Sequence, residues 1–233
     1  MRIGDKPPYA EASARKFFYS LRAAVTWHSA QYRYHVSEFL FQLPKGAIPK
    51  AWAGHRERRL PANEEKKLYE SGIERKATYT RTDWERIIGF ALETAMREQE
   101  IVLARWQDLR QDGYKLFLPE GHTKSRRSRT VLLSGKARQI VEAQRADRPE
   151  DSDRIFYQTP NPESLCDAFA RLTERAKIAD LHFHDLRHEA TSRLCESGKL
   201  NMMQVMEMTG HTSMATFQGY LHLLKEQTSV VLD

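Results

Sequence analysis

Apolar residues return every three or four positions through most of this chain and alternate with polar ones in only two short stretches. The first spacing is that of an amphipathic helix, the second that of a half-buried strand. Phe17, Leu21, Ala24 and Val25 share one side of a helix predicted over residues 8–30, with Arg15, Lys16 and Arg22 on its other faces. A second helix is predicted over residues 32–41, stopping before Pro44. Residues 44–61 (PKGAIPKAWAGHRERRLP) mix breakers with positive charge, the composition of a linker. Beyond it the pattern predicts a larger unit. A helix over 63–71 precedes a core helix carrying Trp84, Ile87, Ile88, Ala91, Leu92 and Ala95, with Thr82 placed as its cap and Asp83 and Glu85 at its positive end. A short helix through Ile101, Val102 and Ala104 follows. Lys115–Leu118 and Arg129–Leu133 alternate, which predicts an antiparallel hairpin with a long polar connection. Ser134 caps a helix reaching about Arg145, and Asn161, followed by Pro162, caps one burying Leu165, Phe169, Leu172 and Ala176. Three helices complete the pattern, from about Asp185 to Gly198, from Asn201 to Gly210, and from Ser213 through Tyr220 to about Lys225. The expected class is mainly α with a small antiparallel hairpin or sheet, in two units over residues 1–55 and 56–233.

Charge narrows the choice of partner. The net charge of +6 and pI near 9.3 favour a polyanion. The positive residues gather at Arg56, Arg58 and Arg59, and again at Lys124, Arg126, Arg127 and Arg129. Each cluster taken singly is ordinarily a solvated loop. No apolar run approaches the roughly 18 residues of a spanning helix, and the N-terminus lacks a signal-peptide pattern. Cys166 and Cys195 show no paired spacing, so the expectation is a cytoplasmic protein with reduced thiols and no membrane. His182, His184, His188 and His211 match no common zinc spacing and lack nearby cysteines, so no metal is expected. His188 and His222 are expected to be ordinary surface or packing residues, and the methionines from Met202 to Met208 to be packing.

The stretch from Leu181 to Tyr220 concentrates the candidate chemistry. His184 and Arg187 stand three apart, on one helix face, and Gly210-His211 and Tyr220 follow. Arg97 ends the apolar run of the core helix, where an arginine is either a surface charge or a group aimed into a cleft. Lys124 belongs to the basic hairpin. Phosphoryl transfer asks for a nucleophile, charge on the non-bridging oxygens and an acid for the leaving oxygen. Guanidinium forks suit the second task, a lysine the third, and a phenol the first once a histidine or nearby cation helps remove its proton.

These motifs resemble the tyrosine recombinases, or phage integrase family. The similarity runs through ALETAMREQEIVLARWQDL at Arg97 and Glu100, Thr123-Lys124 on the hairpin, FHDLRHEATSRL at His184 and Arg187, and TGHTSMATFQGY at His211 and Tyr220. The nine-residue step from His211 to Tyr220 is the family's, and all six catalytic positions fall in order across most of residues 60–225. The wording is closest to shufflon-type DNA invertases. The resemblance implies a catalytic domain preceded by a partial helical core-DNA-binding domain, since residues 1 to about 55 resemble only the latter portion of one. It implies Tyr220 as nucleophile, Arg97 and Arg187 as phosphate clamp and Lys124 as general acid. His184 would be general base or phenol partner, His211 a phosphate hydrogen-bonding group, and Glu100 a residue orienting the site. Arg126, Arg127, Arg129, Arg58 and Arg59 are candidate DNA-backbone contacts. Neither cofactor nor metal is implied. Double-stranded DNA, a homotetramer in the synaptic complex and accessory DNA-bending proteins are the partners it implies. Two other readings stand beside strand transfer. One is a DNA-binding module of the same fold that has lost recombination through an incomplete N-terminal clamp. The other is a helix-turn-helix regulator, which leaves Arg97 and Lys124 unexplained.

Overall fold

A 22-residue helix, α1 (Glu11–Tyr32), is the first element described. It stops because Arg33 turns left-handed (φ 55°), which lets the Tyr34 amide donate to the Ser29 carbonyl at 3.2 Å. That is the Schellman closure, and a chain leaving it no longer follows the helix axis. The helix predicted over residues 32–41 is therefore absent where it can be seen, at residues 34–37. Phe17 and Leu21, the expected buried side of α1, are 58% and 60% exposed. The computed structural model describes residues 11–37, 41–42, 58–73, 83–123, 126–221 and 223. The predicted linker up to Glu57 and the tail after Leu223 lie outside these, apart from Phe41 and Gln42 before the linker. The chain divides into two units, Met1–Arg56 and Glu57–Asp233, with α1 in the first.

The second unit is built around one helix. α2 (Ala62–Ile73) leads to α3 (Trp84–Thr94), whose residues Ile87, Ile88, Phe90 and Ala91 are wholly buried against α2, α5 (Gly135–Ala146) and α7 (Phe183–Glu196). Asp83 caps α3 by accepting the Arg86 amide, while Thr82 lies outside the described residues. Phe90 meets Phe156 at 5.0 Å between ring centroids, and each such fully buried ring contributes about 2–3 kcal/mol. α4 (Glu98–Leu103) follows. The sheet is antiparallel in the order β1 (Leu109–Arg110), β2 (Lys115–Leu118), β3 (Arg129–Leu132), with Leu116 opposite Val131 and Leu118 opposite Arg129. The hairpin is as expected, and β1 adds a two-residue edge. Side-chain caps at Ser134 and Asn161 start α5 and α6 (Pro162–Arg175). α7 begins at Phe183, two residues before the predicted start, because the Asp185 carboxylate reaches back to the His182 amide at 2.7 Å. Asn201 caps α8 (Met202–Thr209), and Ser213 caps α9 (Met214–Phe217), which runs into a 3-10 turn, Gln218–Tyr220. Cys195, Val205, Met206, Phe217, Tyr220 and Leu223 form a second, smaller apolar cluster under that turn.

Arg58 and Arg59, expected as DNA contacts, hold carboxylates of their own chain. Arg58 pairs with Glu64 on α2 at 2.5 Å, and Arg59 with Glu189 and Glu196 on α7 at 2.8 and 2.7 Å. Glu189 also accepts the Leu60 amide at 2.9 Å and Arg193 at 2.8 Å. Burial works against its charge, but Arg59, the Leu60 amide and Arg193 more than offset that, and the carboxyl sits below its usual range. A depressed carboxyl stabilises the fold above its unfolded value and stops doing so as pH falls through the folded one. Glu189→Gln should therefore cost about 2–3 kcal/mol at pH 7, the worth of its charged hydrogen bonds. In urea unfolding, the gap to the parent chain should close as pH drops below the normal carboxylate range. A gap independent of pH would rule out the charge as its origin.

Candidate active site

Four of the expected residues meet where α3, α7 and α8 end or begin. Arg97 sits at the N-cap of α4. Its amide donates to Glu100 Oε2 at 2.8 Å and its Nη1 to Oε1 at 3.1 Å. Glu100 is completely buried and takes a second guanidinium, that of Arg129, whose Nη1 and Nη2 lie 2.5 and 2.8 Å from its two oxygens. Burial alone would push this carboxyl up, but Arg129 and then Arg97 hold it below the usual range. Arg129 also donates from Nε to the Met208 carbonyl at 3.1 Å, so it ties β3 to α4 and α8. Arg129, a candidate DNA-backbone contact, thus has its guanidinium engaged by Glu100 and Met208.

Arg187, on α7 and only 4% exposed, donates to the carbonyls of Ala95 and Thr209, each at 2.5 Å. Ala95 presents its carbonyl from a left-handed conformation (φ 52°) just past α3, one that L side chains rarely adopt and that a surrounding structure must hold. Burial, then the charge of Arg97, lowers the guanidinium pKa to about 9, still a cation at neutral pH.

The Gly-His step has a geometric cause. Gly210 closes α8 at φ +73°, donating to the Met206 carbonyl at 2.8 Å, and a Cβ there would stand 3.1 Å from the Arg129 guanidinium. Gly210→Ala is expected to lose about 1–3 kcal/mol from the left-handed backbone, more if Arg129 is displaced from Glu100. Thermal unfolding checks this, and an unchanged midpoint would refute it. His211 follows, with Nδ1 2.6 Å from the Thr209 hydroxyl. That hydroxyl is also 2.7 Å from the Val205 carbonyl, to which it donates, so Nδ1–H donates to Thr209 and Nε2 is an acceptor. Burial, then Arg187 and Arg97, pushes the His211 pKa down to about 3. Donating to a phosphate requires a proton on Nε2, through the other neutral tautomer with the Thr209 hydroxyl turned to donate to Nδ1, or through protonation of the ring, which an anion in the site favours.

Tyr220 stands in the 3-10 turn, 5% exposed, its ring 5.4 Å from Phe217 and 5.8 Å from His211. Burial raises its phenol to about 12 against the pull of Arg187 and the Thr191 hydroxyl. Its oxygen is hydrogen-bonded to Nδ1 of His188. The family resemblance implies His184 as general base or phenol partner. That ring instead lies with Nδ1 3.7 Å from Glu98 and edge-on to His188 at 4.9 Å. His188, taken for a packing residue, touches the phenol. The signal for it was its spacing, one turn after His184 on the same face.

Lys124 lies outside the described residues. Its flank is held by Thr123, whose hydroxyl donates to the Arg127 carbonyl at 2.8 Å and accepts the Arg127 amide at 3.2 Å. Arg126 and Arg127 are exposed beside it. Among Arg97, Arg129, Arg187 and Glu100, guanidinia outnumber carboxylates three to one, with a neutral phenol and neutral imidazole at the edge. Such a site suits an anion with several oxygens. No described helix is long and apolar enough to cross a membrane.

The family described as "Phage integrase family" matches residues 58–227. The shufflon-specific DNA recombinase of Escherichia coli is 38% identical over 186 residues, 79% of this chain; the chain spans 45% of that relative's length. Among solved structures, the Tn1549 transposon integrase in complex with a circular intermediate DNA superposes with a TM-score of 0.71 at 14% identity, covering 91% of this chain and 76% of that one. A lambda integrase tetramer bound to a Holliday junction superposes with a TM-score of 0.65 at 16% identity, covering 87% of this chain and 59% of that one.

Proposed function

The chain belongs to the phage integrase family, and from that membership we propose that it is a site-specific recombinase that cuts and rejoins DNA through a covalent 3′-phosphotyrosine. The observation that supports this most is the convergence of Arg97, Arg187, His211 and Tyr220 around an excess of positive charge. The Tyr220 oxygen attacks the scissile phosphorus, the bond from phosphorus to the 5′ oxygen breaks, and Lys124 protonates that oxygen as it leaves. Arg97 and Arg187 carry the charge on the non-bridging oxygens, with Glu100 fixing Arg97 and His211 hydrogen-bonding the phosphate. Rejoining is the reverse attack by a 5′ hydroxyl, and the phosphotyrosine keeps the bond energy for it. Arg126 and Arg127 track the DNA backbone from the hairpin.

Residues 56–233 act as the catalytic domain and residues 1–55 as part of a core-DNA-binding domain. The working assembly is a homotetramer on two double-stranded sites, aided by DNA-bending proteins, in the cytoplasm. The lambda tetramer on a Holliday junction supports the stoichiometry. The test is covalent capture. The protein is incubated with a pool of nicked duplexes of randomised sequence, denaturant-resistant adducts are recovered, and the linkage is mapped by mass spectrometry. A 3′-phosphoryl group on Tyr220 is expected. DNA retained without any adduct would favour the binding module, and an adduct elsewhere would overturn the assignment.

A further inference from the structure

Resting on that reading, we propose that His188 is the base that takes the phenol proton of Tyr220, its ring held by His184 and, through His184, by Glu98. The two residues are 32 apart in sequence and are brought together by the fold, with Nδ1 of His188 hydrogen-bonded to the phenol oxygen. Their ring planes lie within 22° of parallel at 6.1 Å between centroids, and in the tautomer with its proton on Nε2 the His188 ring accepts from the phenol through Nδ1. His184 stands edge-on to His188 at 83°, and Glu98 faces His184 from α4. This row fixes the imidazole without using the nitrogen that faces Tyr220.

The other polar neighbours of the phenol are poorer acceptors. Thr191 donates its hydroxyl to the Arg187 carbonyl at 2.8 Å, and an alcohol oxygen does not retain a second proton near neutral pH. His211 has Nδ1 committed to Thr209 and lies among Arg187, Arg97 and Arg129, which oppose a positive ring. His184 is turned to Glu98. A buried phenol in this position does not ionise unaided, so attack needs a base at the oxygen. The step is balanced. The Tyr220 proton moves to His188 Nδ1, the phenolate forms the bond to phosphorus, and the bond to the 5′ oxygen breaks with its proton supplied by the acid of the proposed reaction. In the return direction the imidazolium gives the proton back as the phenol leaves.

Cleavage should then follow a pH profile set by His188. The groups placed against it are Tyr220 from the 3-10 turn and His184 of α7, with Glu98 beyond His184 and His211, from the connection after α8, close enough to feel its charge. The experiment measures single-turnover cleavage of a nicked duplex recovered from the randomised pool, for the parent chain, His188→Asn and His188→Phe. Asparagine can hydrogen-bond the phenol but cannot hold its proton. The expected result is a parent rate that climbs with pH and levels off once the base has lost its proton. His188→Asn should be about 10²-fold slower at pH 7, with a rate that keeps climbing toward the range of the phenol itself. A His188→Asn profile of the parent's shape would overturn the base, leaving His188 a positioning residue. A second measurement needs no DNA: the 15N signal of His188 Nδ1 should move on Tyr220→Phe, and an unmoved signal would overturn the pairing. Failure of the recombinase reading is distinct, because it appears as a parent chain that forms no Tyr220 adduct.

Discussion

Tyr220→Phe is expected to abolish adduct formation, by on the order of 10⁴-fold or more, while leaving a folded chain that still binds DNA. The ring is what packs the turn, against Phe217 and beside His211, and phenylalanine keeps that ring. The oxygen is lost, with its hydrogen bond to His188 and its interaction with the Thr191 hydroxyl. The structural cost is therefore about 1 kcal/mol, that of one hydrogen bond, and the thermal midpoint should move little. The chemical cost is total on the proposed reading, since phenylalanine has no oxygen to form the bond to phosphorus. Denaturing gels of the nicked duplex decide the matter. An adduct of parental yield in the variant would remove Tyr220 from the nucleophile's role, and a grossly unfolded variant would show that the oxygen holds the turn as well.

The parts of this fold that were legible in sequence are those with local causes. Ser134, Asn161 and Asn201 announce helices because a side-chain oxygen three residues ahead of an amide caps it wherever the chain goes. Gly210 announces a helix end because few other residues accept its backbone. Arg33 and Ala95 adopt the same left-handed conformation without being glycine, so the stop after Tyr32 and the turn that feeds Arg187 were invisible. Long-range pairings were equally hidden. Arg59 looks like linker charge until Glu189, 130 positions later, is brought beside it. Arg129 looks like a DNA contact until α4 delivers Glu100. His188 reads as packing until the turn after α9 places Tyr220 against it. The candidate catalytic residues are recognisable because their types and order recur as a motif, whereas the residues that hold them are chosen by the fold.

Arg187 carries the second large effect. Its fork has five donors, so two bonds to the carbonyls of Ala95 and Thr209 do not exhaust it. Those bonds also explain why the charge is where it is, since they fix the plane of the guanidinium between the end of α3 and the end of α8. With almost no surface open to water, the group would act on a phosphate at low local dielectric, where a fixed charge is worth most. Arg187→Lys keeps a cation but not the fork, and a single ammonium cannot satisfy both carbonyls and a phosphate in one plane. The expected loss in single-turnover cleavage is about 10²-fold or more, with a stability loss of roughly 1–3 kcal/mol from the unsatisfied carbonyl. Arg187→Ala should lose at least as much in cleavage. The two effects separate by experiment, because added DNA should raise the thermal midpoint of the parent chain more than that of either variant if the fork grips phosphate. Parental cleavage by Arg187→Lys would mean that charge alone suffices and that the two carbonyl bonds serve only to join α3, α7 and α8.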